Sequence, residues 1–222
     1  MRTLHLVPVI HSPQEMGEAA EKLNQARHTL MGNAENDRHG KVVAAFWHKI
    51  HQWAKGLKGE QVCIYQDSLV DEGELGQKVV DDLAAKGSPN FLLVQMLLSQ
   101  GARLRKTESL ALLQKEHALT MDFFRKTTPF AKLAYAIYAR IKRAHLLRQR
   151  DRFIAQQINA TLKPEEVGVL FIGALHEMTP YLEVDIKVIP FTPLKTVRRY
   201  LKTVRRPGNE AELQALIREL TG

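Results

Sequence analysis

Cysteine is nearly absent from this sequence. Cys63 is the only one in 222 residues, which excludes an internal disulfide and any cysteine-rich metal site. Long apolar runs are missing too: the best candidate, Phe91 to Leu98, stops at Ser99-Gln100-Gly101, well short of the ~18 residues that span a bilayer. The opening MRTLHLVPVIHSP has one early Arg but no continuous apolar stretch and no small-residue cleavage site, so it reads as structure, with the mature chain starting at Met1. No Walker A, GxGxxG or GxSxG motif occurs, which removes support for a P-loop, a dinucleotide fold or a serine-hydrolase elbow. These absences predict a cytoplasmic protein with no membrane span.

What is present is globular in composition. Charged residues make up 25% and hydrophobic residues 45%, which excludes wholesale disorder. The length predicts one domain over residues 1–222. The net charge of +8 is unevenly placed. Arg125 to Arg150 holds eight basic residues and no acid, and Lys195 to Arg206 holds six more and no acid, so the remainder of the chain stands at −6. Two solvated helix faces explain such stretches as well as a surface for phosphates, anionic lipid or acidic ligands does.

The hydrophobic periodicity outlines an order of elements. Thr3 to Ile10 alternates as a strand, and Ser12-Pro13-Gln14-Glu15 opens a helix to about Met31. Asn33 to Asp37 is a polar loop, and Val42 to Leu57 is helical. Val62 to Tyr65 is a short strand, with Asp67 just past its end. Residues 72–162 are mostly helical: Glu72 to Ala85, Asn90 to Ser99, an extended piece at Ala102 to Arg105, a helix capped by Thr107, and a long helix from Phe130 to Leu162 after Pro129. Val167 to Ile172 is a continuous apolar run of the kind found in buried parallel strands. Glu183 to Ile189 is another strand, and Pro193 and Asn209 open two last helices. The pattern predicts an α/β fold, a mainly parallel sheet flanked by helices with a helical insertion in the middle of the chain.

Open α/β sheets bind ligands beyond the C-terminal ends of their strands. His11, Asp67 and His176 fall at three such ends. Gly173-Ala174-Leu175-His176 is a GxxH turn in which Gly173 permits close backbone approach. Two imidazoles and a carboxylate on one rim suit a divalent metal (manganese, cobalt or zinc) that activates a water. Glu15 and Glu177 stand nearby as candidate bases. Each residue alone is more often a surface or hydrogen-bonded group; their shared location is the signal.

At these residues the chain resembles a divergent, minimal member of the TraB/Tiki-like group within the EreA/ChaN-like superfamily. The matching pieces are His11 in VPVIHSPQEMG, a strand ending in IYQDSL, the RKTES segment, Arg150-Asp151, and VLFIGALHEM followed by VDIKVIP. The late GxxH of that family is complete at Gly173 and His176. The early one has Pro8 where Gly is usual, and Gln66-Asp67 stands where a Glu is typical. The resemblance implies a TraB/ChaN-like α/β domain with metal ligands at His11, His176 and Asp67. It also implies that Glu108, in the Thr107-Glu108 step, supplies a carboxylate. Family members include proposed metal-dependent peptidases and haem-binding proteins. Arg150 either stabilises developing negative charge on a substrate or forms a structural salt bridge with Asp151, the blander reading being slightly favoured.

Other signals weigh less. His48 and His51 are three apart on a predicted helix but lack a third ligand, and read as its polar edge. Cys63 reads as a buried, inert thiol. Tyr135 and Tyr138, among basic residues, read as core contacts rather than base-stacking platforms. Three functions remain open: a metal-dependent hydrolase acting on a peptide or other small substrate, a non-catalytic binder of haem or an anionic small molecule, and a nucleic-acid or anionic-surface binder. Nucleic acid is disfavoured because no recognised motif accompanies the basic stretches, and a homodimer is compatible with all three.

Overall fold

A computed structural model describes residues 1–10, 33–204 and 208–222. Its five strands are all parallel and lie in the order β3-β2-β4-β1-β5, with β1 Arg2–Val9, β2 Val62–Gln66, β3 Arg103–Arg105, β4 Val167–Gly173 and β5 Ile186–Pro190. Seven α-helices accompany them among the described residues: α1 Asn33–Ala54, α2 Glu74–Ala85, α3 Pro89–Ser99, α4 Leu110–Phe124, α5 Pro129–Thr161, α6 Leu194–Val204 and α7 Glu210–Thr221. This is the α/β architecture that the strand and helix periodicities predict. None of these helices is long and apolar enough to cross a membrane.

Strand side chains alternate between the two faces of the sheet, and each face is buried. Val7, Val9, Val62, Ile64, Val169 and Phe171 pack with α1, α2, α3, α6 and α7, around Phe46, Trp47, Ile50, Leu93 and Tyr200. Leu4, Leu6, Cys63, Tyr65, Leu170 and Ile172 face the other way, against Ile154, Ala155 and Ile158 near the end of α5. The second face is thus covered mainly by half of one helix. At 33 residues α5 is about 50 Å long, whereas the strands, of three to eight residues, run only about 10–27 Å. Its N-terminal half therefore reaches past the sheet and pairs with α4.

Four expectations need correction. Asn33 to Asp37 is not a loop but the start of α1; Glu35, Asn36 and Asp37 occupy half-exposed and exposed helix positions, and nothing in the segment breaks a helix. Thr107 does not cap α4, which begins after Ser109; the Thr107 hydroxyl donates instead to the Gln66 carbonyl. β5 begins at Ile186 rather than Glu183, because the Glu183 and Asp185 carboxylates turn to Arg2. Tyr135 and Tyr138 are not core residues: they pair with each other on the overhanging half of α5, 5.6 Å apart, with Lys126 and Lys142 over their rings. The helix expected from Ser12 to Met31 lies outside the described residues.

Two glycines separate packing from propensity. A Cβ at Gly76 would overlap the Asp71 carbonyl oxygen, whereas one at Gly40, exposed in α1, meets nothing within 4 Å. Gly76→Ala should destabilise by about 1–3 kcal/mol and Gly40→Ala should stabilise by about 0.5–1 kcal/mol. Urea unfolding of both variants reads out these opposite signs.

Candidate functional site

The chain leaves β2 towards β3 on one side, and leaves β4 towards β5 on the other. The neighbouring strands β2 and β4 therefore flank a topological switch point, the place where α/β sheets form a ligand crevice. Asp67 follows β2 there and Gly173 ends β4. Ser68, with φ 66°, adopts the left-handed conformation uncommon for a non-glycine residue and turns the chain at once after Asp67. Asp67 Oδ2 accepts from the Gly173 N–H at 3.1 Å. A Cβ at Gly173 would sit 3.3 Å from that oxygen, so the glycine provides the close approach expected of it.

Glu108 reaches the same place through the adjacent strand pair β2–β3. The N–H groups of Thr107 and Glu108 both donate to the Leu69 carbonyl, at 2.9 and 3.0 Å, which ties the exit of β3 to the turn after β2. The Glu108 side chain is buried, and Arg150 from α5 donates to its Oε1 through Nε at 2.8 Å and a terminal nitrogen at 2.6 Å. Arg150 also reaches Asp67 Oδ1 at 3.2 Å and Glu116 of α4 at 2.8 Å. Burial pushes the Glu108 carboxyl above the usual range, against the pull of the Arg150 hydrogen bond and charge. Burial alone would lower Arg150, but Glu108, Asp67 and Glu116 hold it above its ordinary value. The other Glu108 oxygen, Oε2, is buried and has no hydrogen-bond partner among the described residues.

Arg150 and Asp151 turn to different partners instead of to each other. Asp151 Oδ1 lies 2.6 Å from His176 Nδ1, and its Oδ2 accepts from the Glu177 N–H at 3.1 Å. A carboxylate on Nδ1 accepts its proton and fixes the ring, which in its neutral form then presents its lone pair at Nε2. Nε2 lies 3.8 Å from Asp67 Oδ2. The 173–176 turn is closed by His176 N–H donating to the Gly173 carbonyl at 3.1 Å. Arg198 of α6 holds it from outside, donating to the carbonyls of Ala174 and, at 3.0 Å, His176.

The structure thus brings together Asp67, Glu108, Arg150, Gly173 and His176. His11 and Glu15 lie outside the described residues. Glu177 turns away: its exposed carboxylate pairs with Arg198 at 3.3 Å. Among the described residues, no group of three or more His, Cys, Asp or Glu side chains is arranged to hold a metal ion. His51 bonds the Pro89 carbonyl at 2.9 Å and His48 is an exposed neighbour of Gln52, as the polar edge of α1 requires. Cys63 is fully buried against Glu166, and burial pushes its thiol up.

Sequence reasoning missed Glu116, Arg198 and the bond from Asp151 to His176. Glu116 and Arg198 carry no motif, and each is one charge on an amphipathic helix. Asp151 is 25 residues from His176, so only the packing of α5 on the sheet joins them. The chain matches no family model, no curated protein and no solved structure.

Proposed function

We propose that this protein is a metal-dependent hydrolase of a peptide or other small acyl substrate, working at the β2–β4 switch point. The observation that carries this reading is the juxtaposition of His176 Nε2 and Asp67 Oδ2, 3.8 Å apart and each fixed from behind, by Asp151 and by the Gly173 N–H. With the imidazole neutral both atoms are acceptors, and facing acceptors call for a cation or a proton between them. Imidazole and carboxylate are donors of the kind that divalent manganese, cobalt and zinc take, and His11 is the expected third ligand. Such an ion supplies Lewis acidity towards a carbonyl or a water.

The local charge favours a cation. Although the chain is basic, Asp67, Glu108 and Glu116 surround the Arg150 guanidinium here, and Asp151 stands against His176. Arg150 holds Asp67 and Glu108 in place, and with Glu116 as a third carboxylate on it, clamping an anion is the weaker role. The unpaired Glu108 Oε2 is the remaining candidate to accept a proton or bind a water. Haem or an anionic small molecule remains the alternative ligand class, but this acidic surround gives it no support. The TraB/Tiki-like motifs agree with the metal reading, and a cytoplasmic setting goes with it.

Elemental mass spectrometry of untagged protein tests the proposal. Wild type should carry near-stoichiometric metal, and His11→Ala/His176→Ala and Asp67→Asn should lose it. Absence of metal from wild type after reconstitution with manganese, cobalt and zinc would overturn the metallohydrolase reading.

A further inference from the structure

The α4–α5 hairpin overhanging the sheet carries an apolar surface that the fold does not use. Phe130, Leu133, Ile137 and Ile141 follow one another at intervals of three and four along α5, and so form one stripe about 17 Å long. They are 82%, 63%, 60% and 67% exposed, and Phe124, 71% exposed, stands just across the hairpin turn. Exposed apolar residues scattered singly need no explanation, but a continuous stripe does. Further along the same helix, Ile154, Ala155 and Ile158 are fully buried. The stripe therefore belongs to the half of α5 that has no sheet beneath it.

The same half of the helix is cationic. On a helical wheel Arg140 borders the stripe beside Leu133, and Lys132 and Lys142 lie on the polar face. Among the described residues none of these three has a carboxylate within salt-bridge distance. The second basic stretch differs: in α6, Arg199 pairs with Glu212 at 2.7 Å and Arg198 is spent on the 173–176 turn.

We infer that this hairpin is a docking arm for a bilayer surface containing anionic lipid. The stripe lies in the boundary between headgroups and acyl chains, while Arg140 at its edge and the Lys side chains of the polar face supply the attraction to headgroup charge. Charge complementarity selects this occupant. A second copy of the chain would bring a second acid-free basic segment against the first, and like charges oppose that pairing. Nucleic acid would satisfy the cations, but Leu133, Ile137 and Ile141 have no ring to stack on a base. The inference is independent of the reading of the β2–β4 site.

Flotation of the full chain with lipid vesicles tests it, comparing phosphatidylcholine alone with mixed phosphatidylcholine–phosphatidylserine. Partitioning onto the mixed vesicles should exceed that onto phosphatidylcholine by about tenfold or more and should weaken with added salt. Phe130→Ala/Leu133→Ala/Ile137→Ala and Lys132→Gln/Arg140→Gln/Lys142→Gln should each lower it about tenfold, with the wild-type melting temperature retained because these side chains are exposed. No preference for anionic vesicles, or wild-type binding by the apolar variant, overturns the inference. So does a solution dimer that the apolar variant converts to monomer, which would assign the stripe to a second copy.

Discussion

Arg150→Ala is expected to lower unfolding free energy by about 3–5 kcal/mol at neutral pH, because it leaves buried carboxylates without their cation. Arg150 is the shared partner of Asp67, Glu108 and Glu116, and the Glu108 side chain is fully shielded from water. The loss should depend on pH in a defined direction. Burial already places the folded-state pKa of Glu108 above its unfolded value, and Arg150 is what pulls it down. A raised carboxyl pKa contributes stability that is present below the unfolded value, about 4.3, and lost as pH rises through the folded value. Removing Arg150 raises the folded value further, so the deficit of the variant should be greatest at neutral pH and shrink as pH falls towards the ordinary glutamate range. Adding Glu108→Gln to Arg150→Ala should recover about 1–2 kcal/mol at neutral pH, since one buried charge is then gone. Urea unfolding at a series of pH values measures all of this. A small deficit that does not change with pH would mean that the cluster does not hold these charges apart from water.

Asp151→Ala is the second large effect. It removes the acceptor of both His176 Nδ1–H and the Glu177 N–H, at a cost of about 2–3 kcal/mol in stability. On the proposed function it should also weaken metal binding by about 10- to 100-fold, the usual consequence of losing the carboxylate behind a ligating histidine. Asp151→Asn retains an oxygen acceptor and should fall between Asp151→Ala and wild type in both measurements. Metal titration beside urea unfolding separates the roles. A stability loss with unchanged metal affinity would make Asp151 a structural residue, and His176 would then be no ligand.

Local physics made much of this architecture legible from residue order. Val167 to Ile172 reads as a two-sided buried strand because both of its faces are apolar, and both are covered in the structure. Asn209 reads as a helix start, and its side chain accepts from the Glu212 N–H at 3.0 Å. Gly173 and His176 could be singled out because a strand end followed by GxxH is a local pattern. Thr107 was misread for the same reason: its hydroxyl suits a cap, but a carbonyl 41 residues away takes it.

Long-range placement was not legible. Sequence determined the parallel α/β class, the strand and helix segments, and the residues at strand ends. Tertiary structure alone decided that β2 lies between β3 and β4, which is what puts Asp67, Glu108 and His176 in one place. It also sent the adjacent Arg150 and Asp151 to different partners, because consecutive helix positions point about 100° apart and meet different neighbours. And it left half of α5 without a sheet to cover, since strand length sets how much helix a sheet can bury.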